Sequence, residues 1–223
     1  MIILIDKKLI KENKKLAKNF KIILIMGYKY KNEIAHIVYK NLIKSNEKVL
    51  LLKNNGYYIN KKYYKLNNNL NYEILNNILK NAKEKDVKYV IICINNSHIK
   101  NNLLKKINYN IMSICSFIGD DTKYVSKEIK KVKEVLVLNN DEKYSKIFRK
   151  KYKNVITIGN KGTYEIDRFN KTFEYEYNLY HLNTNETNLM YSKTIAIAIL
   201  VYIGFDISEE YCKLSEERLN LYR

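Results

Sequence analysis

Residues with phosphate-binding chemistry follow an early apolar run of the sequence. The run covers residues 21–26, and Gly27, Lys31 and Asn32 come after it. A glycine lets backbone N–H groups close around a phosphate, and a lysine a few residues later neutralises the outer phosphates. A Ser or Thr hydroxyl normally follows that lysine and binds Mg²⁺, whereas here Asn32 takes its place. The pattern therefore leaves two interpretations open, a site for ATP or the remnant of one.

The side chains around Lys31 oppose tight binding of a polyphosphate. Tyr30 places a Cβ and a ring where the backbone must approach the ligand, and a left-handed backbone costs a tyrosine about 1 kcal/mol or more. Glu33 adds negative charge where the phosphates would lie, although it suits the positive end of a following helix. Lys31 is thus either a phosphate ligand or one more solvated lysine at a helix start.

The composition predicts a soluble, basic protein of the cytoplasm. The chain has 223 residues and a formal net charge of +18, which would suit nucleic acid or an anionic membrane surface. Almost all the basic residues are lysines spread along the chain, whereas nucleic-acid binders favour arginine for its bidentate contacts. No apolar run approaches membrane-spanning length. We therefore expect no membrane association and disfavour nucleic-acid binding.

The cysteines and histidines indicate no metal site. Cys93, Cys115 and Cys212 are odd in number and widely spaced, which argues against a disulfide framework and fits a reducing compartment. His36 falls within a predicted helix and His181 after the late strands, with no cluster at metal-ligand spacing.

Alternating apolar and amphipathic segments predict an α/β fold with a mostly parallel, doubly wound sheet. Strands are predicted at residues 21–26, 48–52, 89–94, 111–115, 135–138 and 155–158. Helices are predicted at residues 32–44, 72–83, 123–131 and 142–151. No Pro/Gly/Ser-rich linker interrupts this order, so we expect a single domain over residues 1–223.

Further elements surround this core in the prediction. Residues 1–20 form an N-terminal extension with a strand at 2–5 and a helix at 8–18, and residues 57–64 form a hairpin with an Asn-Lys-Lys turn. Alternation over residues 163–182 predicts a small late β meander. An apolar helix at 189–203 ends at Gly204, and Asp206 or Ser208 caps a last helix at 209–214.

The order of these segments resembles the central ATP-binding domain of the Mur ligase superfamily, and within it the Mur-ligase-like half of cyanophycin synthetases. The family's phosphate loop, Gly-Thr-Asn-Gly-Lys-Thr-Thr, lies over residues 27–33. An Asp-Gly-Val-Tyr-Ile-Asp-Gly segment lies over 55–61, and the family's Leu-Asn-Ala-Asp-Asp pattern is similar to 138–142. An alanine-rich helix followed by Leu-Gly-Ile is similar to 192–205, so the likeness covers about residues 21–223.

The resemblance implies roles for particular residues. Gly27, Lys31 and Asn32 would hold the phosphates and Mg²⁺ of ATP, Asn139 would contact adenine, and Asp141 would contact the surrounding loop. The alternative for Asn139 and Asp141 is a strand-ending turn, for which both residue types are common. ATP and Mg²⁺ are the cofactors if the site is retained, and no cofactor is expected otherwise.

Several family positions are changed. The metal-binding Glu falls near Cys93, and a thiol is a poor ligand for Mg²⁺. His98 lies in the next loop as a replacement ligand or an exposed residue. The family's Asp-His pair becomes Asp120-Asp121 or Asp121-Thr122, which we interpret as a helix cap.

These losses favour a degenerate, non-catalytic domain that acts through protein contacts, with another protein or in a homo-oligomer. The chain ends near the family's hinge into a C-terminal domain that closes over the nucleotide. One alternative is therefore an ATP-dependent ligase that forms amides through an acyl phosphate and needs a partner domain. The other is a basic module that binds a polyanion.

Overall fold

A computed structural model describes residues 2–116 and 122–205 of the chain. The strands are β1 (Lys21–Met26), β2 (Val49–Lys53), β3 (Gly56–Ile59), β4 (Lys62–Lys65), β5 (Tyr89–Cys93), β6 (Tyr109–Ile114), β7 (Val132–Asn139), β8 (Val155–Ile158), β9 (Glu165–Asp167), β10 (Thr172–Tyr175) and β11 (Asn178–His181). The helices are α1 (Ile2–Ala17), α2 (Lys31–Lys44), α3 (Tyr72–Glu84), α4 (Asn96–Lys100), α5 (Thr122–Ile129), α6 (Ser145–Arg149) and α7 (Thr187–Tyr202).

The predicted α/β fold is confirmed. Eight strands form one sheet in the order β4-β3-β2-β5-β1-β6-β7-β8. β1 lies at its centre and pairs in parallel with β5 on one side and β6 on the other. Only the hairpin of β3 and β4, at one edge, is antiparallel to its neighbours. Buried β1 is apolar on both faces because helices cover both sides of a doubly wound sheet.

The two faces of the sheet form separate apolar layers. Alternate residues of β1 point to opposite faces, so Ile22 and Leu24 join one layer while Ile23 and Ile25 join the other. The first layer is completed by α3 and by residues of α1 and α5. The second is formed with α2 and α7. The loop between β1 and α2 therefore starts from a rigid, fully buried strand.

The predicted N-terminal strand at residues 2–5 is wrong, because these residues are the first turn of α1. A short apolar run does not distinguish a strand from a helix, and here it continues into a helical pattern. α1 is attached to α3 through buried Asn13, whose amide donates to the Tyr72 carbonyl at 3.1 Å and accepts from Asn76 at 2.9 Å. The N-terminal extension is thus part of the helical layer.

Other boundaries differ in detail. The helix predicted at 142–151 is limited to Ser145–Arg149. The segment that contains His98 is the short helix α4, which the sequence analysis did not predict. Lys62 begins β4, so the hairpin turn is Asn60-Lys61, with Asn60 in the left-handed region at φ 53°.

The late meander is confirmed as a three-stranded antiparallel sheet in the order β11-β10-β9. Phe173 and Ile166 of this small sheet are buried in the layer that contains α7. The opposite face of the small sheet bears polar and charged residues, because side chains alternate along each strand.

α7 is confirmed as a buried apolar helix, and Gly204 follows it with φ 96°. A left-handed glycine at this position is a common way for a helix to end. None of the described helices combines the length and apolar character required to cross a lipid bilayer. The predicted helix at 209–214 and its caps lie outside the described residues.

Candidate functional site

The loop after β1 lies at the carboxyl end of the central strands. Gly27 has φ 150°, and a Cβ added there would lie 3.1 Å from both the amide nitrogen and the hydroxyl of Ser116. Such contacts are tighter than most, and L side chains rarely adopt this backbone conformation. Gly27 is therefore required where this loop passes the end of β6.

Ser116 accepts hydrogen bonds from two backbone N–H groups of the loop. Its Oγ lies 2.9 Å from the backbone nitrogen of Tyr28 and 2.8 Å from that of Lys29, and both N–H groups donate to it. Ser116 itself is buried. N–H groups at this junction are those that would bind phosphate oxygens in a nucleotide site. Here an oxygen of the protein itself takes that place.

Tyr30 fixes the loop to α7. Its backbone is left-handed, with φ 66° and ψ −13°, in the conformation that glycine adopts most easily. Its hydroxyl donates to Asn188 Oδ1 at 2.5 Å, and its ring packs against the apolar layer of α2 and α7. These contacts offset the backbone strain and hold the start of α2 against α7.

Lys31 is buried rather than solvated, with 8% of the residue exposed. Its Nζ donates to the carbonyl of Ile94 at 2.9 Å and lies 3.4 Å from Asn95 Oδ1. Asn95 is fixed by Asn54, since the Asn95 amide donates to Asn54 Oδ1 at 2.7 Å and Asn54 Nδ2 donates to Asn95 Oδ1 at 2.8 Å. The ammonium is thus bound by oxygens at the carboxyl end of β5.

The groups near the expected metal position do not fit Mg²⁺. Cys93 Sγ lies 3.4 Å from both the Lys31 carbonyl and Asn32 Oδ1. Burial raises the pKa of the Cys93 thiol to about 11, although the charges of Lys31 and Lys53 act in the opposite direction. The thiol therefore stays protonated at neutral pH and donates to Asn32. Mg²⁺ requires hard oxygen ligands, which this pair does not offer.

Asn139 and Asp141 build the turn after β7. Asn139 is 8% exposed, its Oδ1 accepts from the Asp141 amide at 3.0 Å, and its Nδ2 lies 3.5 Å from the Cys115 carbonyl. The Asp141 carboxylate accepts from the Tyr191 hydroxyl and lies 3.3 Å from Arg168 Nη2. Both side chains are thus engaged within the protein, and the adenine contact proposed for Asn139 stays a prediction.

Of the five predicted site residues, the structure places Gly27, Lys31 and Asn32 together. Asn139 and Asp141 lie at the end of β7, on the far side of β6 from this group. Glu142 follows them, and burial raises the pKa of its carboxyl while the charge of Lys29 lowers it.

Other candidate ligands do not gather at the loop. His98 is on α4, and Asp120 and Asp121 lie outside the described residues. Within residues 2–116 and 122–205, no group of three or more His, Cys, Asp or Glu side chains is arranged to hold a metal ion. Ser116 was not among the residues predicted from the sequence, because its only signal is its position just after β6.

Similarity to known proteins is found in structure and not in sequence. No protein-family model and no curated protein matches the sequence. A UDP-N-acetylmuramoyl-L-alanyl-D-glutamate–2,6-diaminopimelate ligase superposes with a TM-score of 0.71 at 13% identity, covering 84% of this chain and 44% of that one. The chain has the Mur ligase central-domain fold.

Two further structures support the Mur ligase fold. The bifunctional folylpolyglutamate synthase/dihydrofolate synthase from Yersinia pestis CO92 gives a TM-score of 0.70 at 11% identity, covering 96% of this chain and 62% of that one. MurF ligase from Thermotoga maritima in complex with ADP gives 0.68 at 16%, covering 92% and 51%. The chain thus spans between 44% and 62% of the length of these Mur ligase-like proteins. The likeness to cyanophycin synthetases stays a prediction.

Proposed function

We propose that this chain is a degenerate Mur ligase-like domain that does not catalyse ligation and acts through protein contacts. The observation that carries the proposal is the Ser116 hydroxyl, which accepts both loop N–H groups, of Tyr28 and of Lys29. A loop whose donors are already bonded inside the protein has to break those bonds before it can bind a phosphate.

The electrostatics of the loop point in the same direction. Phosphoryl transfer depends on cations and dipoles aimed at the charge that develops on the phosphate. The Lys31 ammonium is bound by the Ile94 carbonyl instead, and Cys93 donates to Asn32 beside it. Anion binding would therefore require Lys31 to leave its buried oxygen partners as well as Ser116 to release the loop.

The alternative is an ATP-dependent ligase that joins a carboxylate to an amine. It is favoured by the fold and by the similarity to a MurF ligase that holds ADP. Gly27 and Lys31 also keep the order expected of a phosphate loop. In this alternative, nucleotide binding would open the loop.

Titration calorimetry of the full chain with Mg·ATP separates the two proposals. We expect weak binding at most and no ATP hydrolysis. Ser116→Ala removes the internal acceptor and leaves Lys31 in place, so it should raise the affinity modestly without restoring ligation. Micromolar binding by the unmodified chain, abolished by Lys31→Ala, would overturn the proposal of a closed site.

Protein contacts need a separate measurement. Sedimentation velocity of the unmodified chain over a wide concentration range tests for a homo-oligomer. A monomer at every concentration would leave another protein as the partner, and cross-linking with mass spectrometry would then be used to find it. Failure to recover a stable complex by either route would contradict the proposed role.

A further inference from the structure

A cleft of about 910 Å³ lies on the exposed face of the small sheet, away from the loop after β1. β10 runs through its middle, and the end of β7 and the first turns of α7 contribute Asp141 and Tyr191 to its rim. The strand register places its side chains in two rows. Asp167, Thr172 and His181 form one row, and Glu165, Glu174 and Leu179 form the next.

The cleft is acidic in a strongly basic chain. Glu165, Asp167 and Glu174 line it, although the whole chain carries a net charge of +18. Glu165 lies directly opposite Glu174 across the strands, and like charges in this position destabilise a sheet. A cation bound between these two carboxylates would remove that repulsion.

The other charged groups of the cleft are already engaged. Arg168 lies at the rim, where its guanidinium donates to Tyr191 at 2.6 Å and approaches Asp141 at 3.3 Å. Asp167 accepts from the backbone amides of Phe169 and Asn170 and from the Asn170 side chain at 2.7 Å, and these bonds lower the pKa of its carboxyl. Glu165 accepts one amide, from Lys161 at 3.2 Å. Glu174 forms no ion pair with the described residues.

Thr172 gives an independent indication of a ligand. The residue is 1% exposed, and its hydroxyl has no hydrogen-bond partner among the described residues. Its neighbour Phe173 points into the apolar layer, so Thr172 faces the same side of β10 as Glu174. A buried hydroxyl without a partner destabilises the fold, and a donor entering from the cleft would satisfy it.

We propose that this cleft binds a linear aliphatic diamine or polyamine. The two rows are two residues apart along the strands, a separation of about 6.7 Å. The nitrogen atoms of a four-carbon diamine span a similar distance. One ammonium lies between Glu165 and Glu174, and the other reaches Asp167 and Thr172 once the neighbouring side chains turn aside. Leu179, 62% exposed, contacts the methylene groups.

Calorimetry of the full chain with 1,4-diaminobutane at low ionic strength tests this site. We expect saturable 1:1 binding, and at least tenfold weaker binding of 1-aminobutane, which neutralises only one row. Added salt should weaken the binding because the groups are exposed. Equal affinity for the two amines, or for Ca²⁺ in place of the diamine, would overturn the proposal by indicating an unspecific acidic face.

Matched variants locate the binding. Glu174→Gln should weaken diamine binding at least tenfold, whereas Glu176→Gln removes the same charge from the neighbouring turn, outside the cleft, and should change it little. Thr172→Val should weaken binding without lowering the melting temperature. Equal losses in Glu174→Gln and Glu176→Gln would show that only overall charge matters. Neither Glu174 nor Thr172 is a predicted ATP-binding residue, so these results do not depend on whether Mg·ATP binds.

Discussion

The loop after β1 and the cleft on the small sheet differ in whether their polar groups are hydrogen-bonded within the protein. In the loop, the N–H groups of Tyr28 and Lys29 and the ammonium of Lys31 are bonded to oxygens of the protein. In the cleft, Glu165 opposes Glu174, and the Thr172 hydroxyl has no partner among the described residues. The N–H groups and the ammonium of the loop are bonded within the protein, whereas the cleft keeps a buried hydroxyl without a partner among the described residues.

A shared fold does not by itself fix where a ligand binds. Both regions depend on α7, because Asn188 accepts from Tyr30 of the loop and Tyr191 donates to Asp141 beside the cleft. These two residues lie three positions apart near the start of α7, on neighbouring parts of its surface. The helix thus contacts both the loop after β1 and the rim of the cleft.

The largest expected effect on stability comes from weakening the packing of α7, which contacts both regions. Ile199 of α7 is fully buried, so Ile199→Ala should lower the free energy of unfolding by about 2–4 kcal/mol. Urea denaturation measures it, and Val201→Ala, at a partly exposed position of the same helix, serves as the control. A neutral result for Ile199→Ala would mean that α7 does not support the two regions.

Ser116→Ala tests whether the loop is held closed from within. The change leaves two backbone donors without their acceptor, which should lower the free energy of unfolding by about 1–3 kcal/mol. The matched control is Ser192→Ala, because that buried hydroxyl donates to its own helix, to the Asn188 carbonyl at 3.0 Å. If both variants lose the same stability, the Ser116 contact has no special role in the loop.

Cys93 provides a test of whether water reaches the buried thiol beneath the loop. Its folded pKa of about 11 exceeds the ordinary value of 9.0, so its contribution to stability is complete below pH 9 and is lost as the pH rises towards 11. Between pH 9 and pH 11, the thiol should lower the free energy of unfolding by about 1.4 kcal/mol for each pH unit. The melting temperature of Cys93→Ala should therefore fall less steeply with rising pH than that of the unmodified chain. Parallel curves would indicate that water reaches the thiol.

The smallest expected effect is that of Tyr30→Phe. The change removes the hydrogen bond to Asn188 but keeps the ring, so we expect a loss of about 0.5–1.5 kcal/mol in the free energy of unfolding. Hydrogen exchange of the Tyr28 and Lys29 amides should become faster if this bond also restrains the loop. Unchanged exchange would separate the closure of the loop from α7.

Local sequence patterns predicted most of the sheet. β1 and β8 match their predicted bounds because each run of β-forming residues is followed directly by a glycine, Gly27 or Gly159. The first turn of α1 was missed because its apolar composition suits a strand equally well. α4 was missed because a helix of five polar and mixed residues has too few turns to show periodicity.

The closed loop depends on contacts that no local pattern contains. Ser116 lies 88 residues from Tyr28 along the chain, and the bond between them arises only when β6 pairs with β1. Asn95 meets Lys31 in the same way, when β5 pairs with β1. The sequence indicated that the phosphate loop had lost residues, but not which groups would fill the space.

The central position of β1 also has a consequence for synthesis on the ribosome. β1 leaves the ribosome before both of its neighbours, which are residues 89–93 and 109–114. The N–H and C=O groups along both edges of β1 must therefore wait for much of the chain, and contacts so distant in sequence slow folding. Until then the nascent chain exposes an unpaired strand that is prone to aggregate. We expect the demand for chaperones to fall once β6 has emerged and β1 is enclosed.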